Sequence, residues 1–148
     1  QVNAILLPTP VWSGTPFLMP VGQVMALFGQ HTGRYAVSTS CSDSDIDVTA
    51  SCDGDRIFLH LVNTSAHRAV RLPLAVQGRT IREATVWEIA ADPLLEIMEH
   101  TAAQLEPLQK PLSNGVYSLP AAGVAAIELD LMPDRSPAEA YFPTSVLA

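Results

Sequence analysis

The chain has 148 residues, of which 48% are apolar and 16% charged, so it is too apolar and too weakly charged to stay disordered. Its 15 acidic and 8 basic side chains give a net charge of −7, which excludes the basic stripe that nucleic-acid binding needs. The longest apolar stretch, residues 16–28, is interrupted by Pro20 and Gly22 and is too short to span a membrane. We therefore expect one globular unit that binds neither nucleic acid nor membrane.

The start of the chain predicts one strand followed by one helix. Residues 1–7 are almost all apolar, which is typical of a strand buried on both faces of a parallel sheet. Thr15 and Pro16 predict the N-cap and first turn of a helix that runs to residues 28–30, unless Pro20 delays its regular part. Because the chain opens inside an apolar run without Met, we expect it to be the C-terminal piece of a larger protein.

From residue 34 onward the apolar residues follow a period of two, which predicts strands. The clearest element is a hairpin of residues 46–52 and 56–62, in which Asp53-Gly54 predicts a two-residue type I′ turn. This turn would pair Ala50 with Ile57 and would place the apolar residues of both strands on one face. The other strands are predicted at residues 35–39, 69–76, 81–89, 115–119 and 124–131. Residues 92–114 are expected to form a long loop with a turn of helix near residues 94–100.

These elements predict a mainly β fold, an antiparallel, jelly-roll-like β-sandwich preceded by one βα unit. We divide the chain into three parts. Residues 1–33 form the βα unit, residues 34–132 form the sandwich, and residues 133–148 form a Pro-rich tail strapped over the surface or partly disordered.

The sequence predicts no metal or cofactor site. Cys41 and Cys52 lack ligand spacing, and the choice between a disulfide and two small buried side chains stays open, with Cys52 on the apolar face of its strand. The acidic run at residues 43–47 resembles half of a calcium loop, but Val48 and Gly54 stand where such a loop needs Gly and Glu. A solvated loop is the better interpretation.

The chain also shows no catalytic apparatus of its own. A glycosidase needs two carboxylates across a cleft, one of them kept protonated by a dry environment. We expect Asp53 and Asp55 to flank a wet hairpin tip and Glu83 and Glu88 to lie near the ends of a strand, with none of the four desolvated. No Ser or Cys lies in a nucleophile-elbow pattern.

Two tryptophans are candidates for a sugar-binding platform. Trp12 follows the first strand, where the loops of α/β barrels form the active-site face, so it is as well placed to line a cleft as to pack locally. Trp87 lies inside a strand and is expected in the core. His60 alternates with Leu59 and Leu61 and is expected on the outer face of its strand.

Two parts of the sequence resemble a known family. Residues 1–8, QVNAILLP, and the helix ending in LFGQH at residues 27–31 resemble the last barrel strand and helix of family 51 α-L-arabinofuranosidases. The segments VTAS (48–51), LHLVNTS (59–65) and LPAAGVAAIEL (119–129) resemble that family's C-terminal sandwich. The resemblance extends from Gln1 to about Leu131, whereas the Pro-rich stretch 92–114 is longer than the family's pattern.

The resemblance implies a retaining glycoside hydrolase that acts on carbohydrate with two barrel glutamates, both of which would lie upstream of Gln1. It also implies that Gln1 corresponds to the strand-eight glutamine that binds the arabinofuranosyl unit. Gln1 and Trp12 are thus the predicted substrate-binding residues, the upstream barrel is the predicted partner, and no catalytic residue lies in this chain. In the family the sandwich also receives strands from before the barrel, so an unfilled sheet edge is implied here, which leaves homo-oligomers open.

Other functions stay open on the sequence alone. A free-standing carbohydrate-binding module would bind through exposed aromatic residues, but only 6% of the chain is aromatic. A purely structural sandwich is the third alternative.

Overall fold

The computed structural model describes residues 5–6, 16–112 and 115–133. In this part of the chain the first elements are β1 (Ile5–Leu6), β2 (Phe17–Leu18) and α1 (Pro20–Gln30). The strands that follow are β3 (Tyr35–Val37), β4 (Ile46–Asp53), β5 (Arg56–Asn63), β6 (Val70–Pro73), β7 (Ile81–Ile89), β8 (Leu108–Pro111), β9 (Val116–Leu119) and β10 (Val124–Leu131). One 3-10 helix, Ala102–Leu105, precedes β8.

The described elements form three layers. The central layer is a six-stranded antiparallel sheet in the order β3-β4-β5-β10-β7-β8. A two-stranded antiparallel sheet, β6-β9, packs on one face of it, while α1 and the 3-10 helix pack on the other. The prediction of a mainly β, antiparallel sandwich preceded by one βα unit is confirmed.

The main core lies between the two sheets. Leu119 and Ile127 are completely buried there, because alternate residues of the central strands face β6 and β9. The buried members of this core are Ile46, Ile57, Leu61, Val70, Leu72, Ala84, Val86, Tyr117, Leu119, Ala125, Ile127, Leu129 and Leu131. A smaller cluster around Leu27, Ile89, Leu105 and Ala126 lies under α1. The central sheet is therefore covered on both faces, unlike a simple two-layer sandwich.

The start of α1 differs from the prediction. The helix begins at Pro20 with Met19 as its N-cap, and Phe17–Leu18 before it is extended. Pro20 takes the first helical position because its missing N–H would be unpaired there anyway, and it disfavours a helical conformation at Met19. Pro16 as the first helical residue is therefore wrong.

Ile5 is the one residue of the predicted first strand whose exposure the structure describes, and its side chain is exposed in this chain. Only Ile5–Leu6 of residues 1–7 is described; it pairs with β2 in an antiparallel sense, and Ile5 is 57% exposed. A strand in the middle of a parallel sheet has a paired strand along each edge and a layer over each face. Among the described strands, only β2 pairs with β1.

The hairpin forms where predicted, but its register is shifted by two residues. The turn residues are Gly54 and Asp55, so Asp53 pairs with Arg56, and Ala50 pairs with Leu59 instead of Ile57. Gly54 has φ +60°, and Asp55 does not have positive φ, which fits a type II′ turn instead of type I′. A shift of two keeps every side chain on its predicted face, so the apolar pattern could not reveal the error.

The long loop contains a strand that was not predicted. Residues 108–111 form β8 along the edge of β7, and the helical turn lies at residues 102–105 instead of 94–100. All four β8 residues are exposed, so this strand has no alternating burial that a sequence pattern could show. The free cysteines, Cys41 and Cys52, form no disulfide, and Cys52 packs against the main core as expected.

Candidate functional site

Both predicted substrate-binding residues, Gln1 and Trp12, lie outside the described residues. Their proximity to each other is therefore not tested, and their roles remain predictions. The same holds for nearly all of the tail, since the described chain ends at Pro133.

The described residues contain no set of three His, Cys, Asp or Glu side chains that could hold a metal ion. Among the same residues, no helix is long and apolar enough to cross a membrane.

One predicted carboxylate is desolvated, contrary to expectation. Glu88 is only 5% exposed, whereas Asp53, Asp55 and Glu83 are exposed. Glu88 lies on the core side of β7, in line with Ala84 and Val86. Tyr117 donates its hydroxyl to Oε2 of Glu88 at 2.7 Å, and Lys110 donates Nζ to Oε1 at 2.6 Å. Both carboxylate oxygens are thus engaged in linking β7 to β8 and β9, which indicates a structural role.

The phenol of Tyr117 is held in its neutral form. Burial raises its pKa far above the ordinary value, and the adjacent Glu88 carboxylate adds to the increase. Because the folded pKa lies above the unfolded value of about 10, the resulting stability is complete below pH about 10 and is lost as the pH rises further.

We predict that Tyr117 ionises only when the chain unfolds. The tyrosinate absorbance that Tyr117 contributes should therefore appear only together with the loss of secondary structure, at strongly alkaline pH. Tyr117→Phe should lose this part of the absorbance and should be about 1–3 kcal/mol less stable at neutral pH, because Glu88 loses a buried donor. If the absorbance lost in Tyr117→Phe is instead gained while the wild-type chain is still folded, the assignment is contradicted.

The acidic run that resembles half of a calcium loop forms ion pairs with Arg68 and so links two loops. We call Asp43, Asp45 and Arg68 the clamp. Arg68 donates to both carboxylate oxygens of Asp43, at 2.8 and 2.9 Å, and also to Asp45. The side-chain hydrogen bonds from Arg68, together with the backbone N–H of Asp45, lower the pKa of Asp43 below its ordinary value. The guanidinium thus occupies the position in which a cation would bind.

The lowered pKa of Asp43 in the clamp predicts how the stability of the chain falls at acid pH. A carboxylate with a lowered folded pKa contributes stability above its unfolded pKa, about 3.9, and loses it as the pH falls through the folded value. Between pH about 4 and 2, urea midpoints of the wild-type chain should therefore fall more steeply than those of Asp43→Asn. Equal slopes in the two proteins would show that Asp43 does not contribute. Asp47→Asn, an exposed neighbour on β4, is the control and should keep the wild-type slope.

An open groove of about 790 Å³ lies on the main-core face of the central sheet, beside β6. Its floor is formed by β4 and β5, where Val48, Ala50 and Leu59 are only half-buried. Its walls are residues 36–41 and residues 72–77. The described residues that line the groove include no Asp, Glu, His, Lys or Arg, and Cys41 lies in one of its walls.

Helix α1 contains no charged residue at all, which is unusual for a helix on a surface. One side, with Leu27 buried and Val24 and Phe28 beside it, packs on the central sheet. Met25 points elsewhere and is 66% exposed. The exposed residues of α1 are Met25, Gly29 and Gln30, so its outer face carries no charge.

The C-terminal end of α1 is fixed to the sheet by the segment His31–Thr32–Gly33, called here the helix junction. The Nδ1 atom of His31 lies 2.8 Å from Oε1 of Glu128 on β10, and its ring stacks on Trp87 of β7 at 4.0 Å. The backbone N–H of Gly33 donates to Oγ of Ser51 at 2.8 Å. Three strands, β10, β7 and β4, thus hold His31 and Gly33, which fixes the end of α1 to the sheet.

Two sequence predictions concern residues beneath α1, that His60 lies on the outer face of its strand and that Trp87 lies in the core. His60 lies on the face of β5 opposite the main core, as expected, but α1 covers it: its ring stacks on Phe28 at 4.2 Å. Trp87 is half-buried in the cluster under α1. The packing of α1 on these strands could not be predicted, because it depends on the tertiary position of the helix relative to the central sheet.

Comparison with solved structures shows which proteins share this architecture. An α-L-arabinofuranosidase of family 51 from Thermotoga petrophila RKU-1 matches with a TM-score of 0.64 and 18% identity, over 78% of this chain and 30% of that chain. A second arabinofuranosidase structure matches with a TM-score of 0.68 and 17% identity, over 86% of this chain and 31% of that chain. The chain has the fold of one part of these enzymes.

The same architecture extends to other glycoside hydrolases. A family 30 subfamily 8 xylanase from Clostridium acetobutylicum matches with a TM-score of 0.57 and 19% identity, over 76% of this chain and 28% of that chain. No protein-family model matches the sequence, and no curated protein matches it. At these identities the likeness shows the fold, and the chain spans about 30% of the length of the arabinofuranosidases it matches. At the level of fold, the resemblance to family 51 arabinofuranosidases is confirmed.

Proposed function

We propose that the chain is the C-terminal region of a retaining glycoside hydrolase that removes terminal arabinofuranosyl groups from plant polysaccharides or oligosaccharides. Residues 1–33 would be the last strand and helix of its (β/α)8 barrel, residues 34–132 the sandwich that supports the barrel, and residues 133–148 a tail. The catalytic glutamates would lie upstream, with Gln1 and Trp12 reaching the substrate. The shared fold with arabinofuranosidases supports this proposal.

The observation that carries the proposal is the uncharged helix α1. A lone sandwich domain would present charged residues on the outer face of a surface helix, whereas α1 exposes Met25, Gly29 and Gln30 and no charge. A barrel that continues through residues 1–33 would cover this face and would supply the parallel neighbours that β1 lacks in the described chain.

The open groove gives independent support. Val48, Ala50 and Leu59 line an apolar floor next to β6, which pairs only with β9 among the described strands. Strands from a segment upstream of the barrel, as the resemblance implies, would cover this floor and extend the two-stranded sheet.

A carbohydrate-binding module is less well supported. Such a module needs exposed aromatic rings, and among the described aromatic side chains only Tyr35 is exposed. Trp87, the described tryptophan, stacks on His31 instead of facing solvent.

The test compares two exposed methionines in the full-length protein. Met25→Glu places a charge on the free face of α1, and Met132→Glu does so at the end of β10, where the side chain is 48% exposed. We expect Met25→Glu to weaken the docking of the sandwich on the upstream part by at least about tenfold, because the charge would be buried without a partner. Hydrolysis of an aryl α-L-arabinofuranoside should fall in parallel.

The control, Met132→Glu, should leave docking and hydrolysis unchanged. Both variants should unfold within about 0.5 kcal/mol of the wild-type isolated chain, since both side chains are exposed there. If Met25→Glu changes neither docking nor hydrolysis, the outer face of α1 is a solvent face and the proposal fails. Binding of the isolated chain to arabinoxylan, lost on Tyr35→Ala, would favour the binding module instead.

A further inference from the structure

The sequence contains one acceptor motif for N-linked glycosylation, Asn63-Thr64-Ser65. The motif Asn-X-Ser/Thr, in which X is any residue except Pro, is modified at the asparagine and is typical of surface loops in secreted proteins. The other two asparagines, Asn3 and Asn114, are followed two residues later by Ile and Val and do not match the motif. Asn63 is the last residue of β5, so the motif lies where this strand passes into the next loop.

The structure buries the amide that this motif would present. The side chain of Asn63 is 2% exposed, whereas Thr64 beside it is exposed. Its Nδ2 donates to the carbonyl oxygen of Arg68 at 2.7 Å and to that of Pro120 at 2.8 Å. A carbonyl oxygen only accepts, so these partners fix the orientation of the amide, whose Oδ1 accepts from the N–H of Ser65 at 3.0 Å. Both hydrogens of the amide are therefore engaged inside the protein.

Glycosylation would replace one of these two hydrogens with a sugar. The amide nitrogen bonds to C1 of an oligosaccharide carried on a polyprenyl diphosphate. The bond from C1 to the diphosphate oxygen breaks, the diphosphate leaves with the electron pair, and one amide proton passes to a base. The new carbon would lie about 1.5 Å from the nitrogen, in the direction of a carbonyl oxygen only 2.7 or 2.8 Å from it. These atoms would overlap, so neither hydrogen can be replaced while both contacts persist.

The backbone of the motif is also held by the connection between β9 and β10. The N–H of Asn63 donates to the carbonyl of Gly123 at 2.9 Å, and the carbonyl of Ser65 accepts from the N–H of Ala122 at 2.7 Å. An enzyme that draws the motif out of the protein must break these hydrogen bonds together with those of the Asn63 amide. Access to the amide thus requires opening of this end of the sandwich.

We propose that Asn63 is a glycosylation site of the unfolded chain only, which folding of the sandwich closes. The amide accepts a glycan before β5 and the β9–β10 connection come together, and not afterwards. The buried amide and the glycan exclude each other, contrary to the surface position that the motif alone predicts. This inference does not depend on the enzyme activity proposed above.

The test presents two copies of the same tripeptide to one enzyme. Residues 38–40 read Ser-Thr-Ser and are all exposed, so Ser38→Asn creates a second Asn-Thr-Ser motif on the surface. The folded 148-residue variant is incubated with a purified single-subunit oligosaccharyltransferase and its lipid-linked oligosaccharide, and peptide mass spectrometry measures the modification of each site. We expect Asn63 to react at least about a hundredfold more slowly than position 38, because only the small unfolded fraction of a native protein can react there.

Adding Ile127→Asp to the same chain provides the unfolded state. This substitution places an unpaired charge at a completely buried position of the main core, and circular dichroism reports the loss of structure. In the unfolded double variant, Asn63 should be modified as readily as position 38. The proposal is overturned if the two sites react at similar rates in folded Ser38→Asn, or if Asn63 stays unmodified in the unfolded chain.

Discussion

Gly33→Ala is expected to disrupt the helix junction and to cost about 3 kcal/mol or more of the free energy of unfolding. A Cβ atom at Gly33 would lie 2.5 Å from the backbone carbon and oxygen of Cys52, a distance at which atoms overlap. Neither backbone can move away easily. Cys52 is paired with β5 within β4, and the N–H of Gly33 is hydrogen-bonded to Oγ of Ser51. The measurement is urea unfolding followed by tryptophan fluorescence, which reports on Trp87 beneath the junction.

The matched control is Gly29→Ala, four residues earlier in α1. A Cβ at Gly29 meets no atom within 4 Å, so the same substitution should stabilise the helix by about 0.5–1 kcal/mol. If the two variants behave alike, the close approach at Gly33 is not what fixes the junction.

Asn63→Ala is expected to cost about 3–5 kcal/mol, because this buried amide joins two chain segments, the β5–β6 loop and the β9–β10 connection. Its side-chain N–H groups donate to the carbonyl of Arg68 at 2.7 Å and of Pro120 at 2.8 Å, with Leu119 more distant at 3.4 Å. Its Oδ1 accepts from the N–H of Ser65 at 3.0 Å. Asn63 is 2% exposed, so water cannot replace these partners without rearrangement.

Thr64→Ala is the neighbouring control. Thr64 also bonds a carbonyl, that of Asp45 at 3.0 Å, but it is exposed, so the loss should stay within about 0.5–1 kcal/mol. Equal losses in Asn63→Ala and Thr64→Ala, measured by urea unfolding, would contradict the importance of burial at Asn63.

The strands could be predicted largely from the alternation of apolar residues. The limits of β7 and β10, Ile81–Ile89 and Val124–Leu131, agree with the prediction at both ends, because each strand buries alternate residues in the main core. The same alternation could not distinguish between hairpin registers two residues apart. It also could not find β8, whose residues are all exposed and whose position depends on the edge of β7.

The buried polar groups were harder to predict, although one signal was present. Glu88 continues the alternation of Ala84 and Val86, and this signal of the core side was outweighed in the prediction by its position near the end of the strand. Its partners come from β8 and β9, and only the folded topology brings them together. The junction depends similarly on His60 and Glu128, from strands separated by more than sixty residues along the chain but paired in the sheet. Sequence alone indicates which face such residues occupy, and not what covers that face.

In the proposed enzyme, α1 is a helix shared between the sandwich and an upstream catalytic body. The most direct test is native, then denaturing, mass spectrometry of the protein purified from its source with an antibody against the sandwich. We predict a native mass that exceeds this chain by at least a barrel of about 250 residues, with arabinofuranosidase activity in the same material. The denaturing spectrum would show whether that body is covalently continuous with residues 1–33. A monodisperse species of this chain alone, with no such body, would contradict the proposal that the sandwich supports a catalytic barrel.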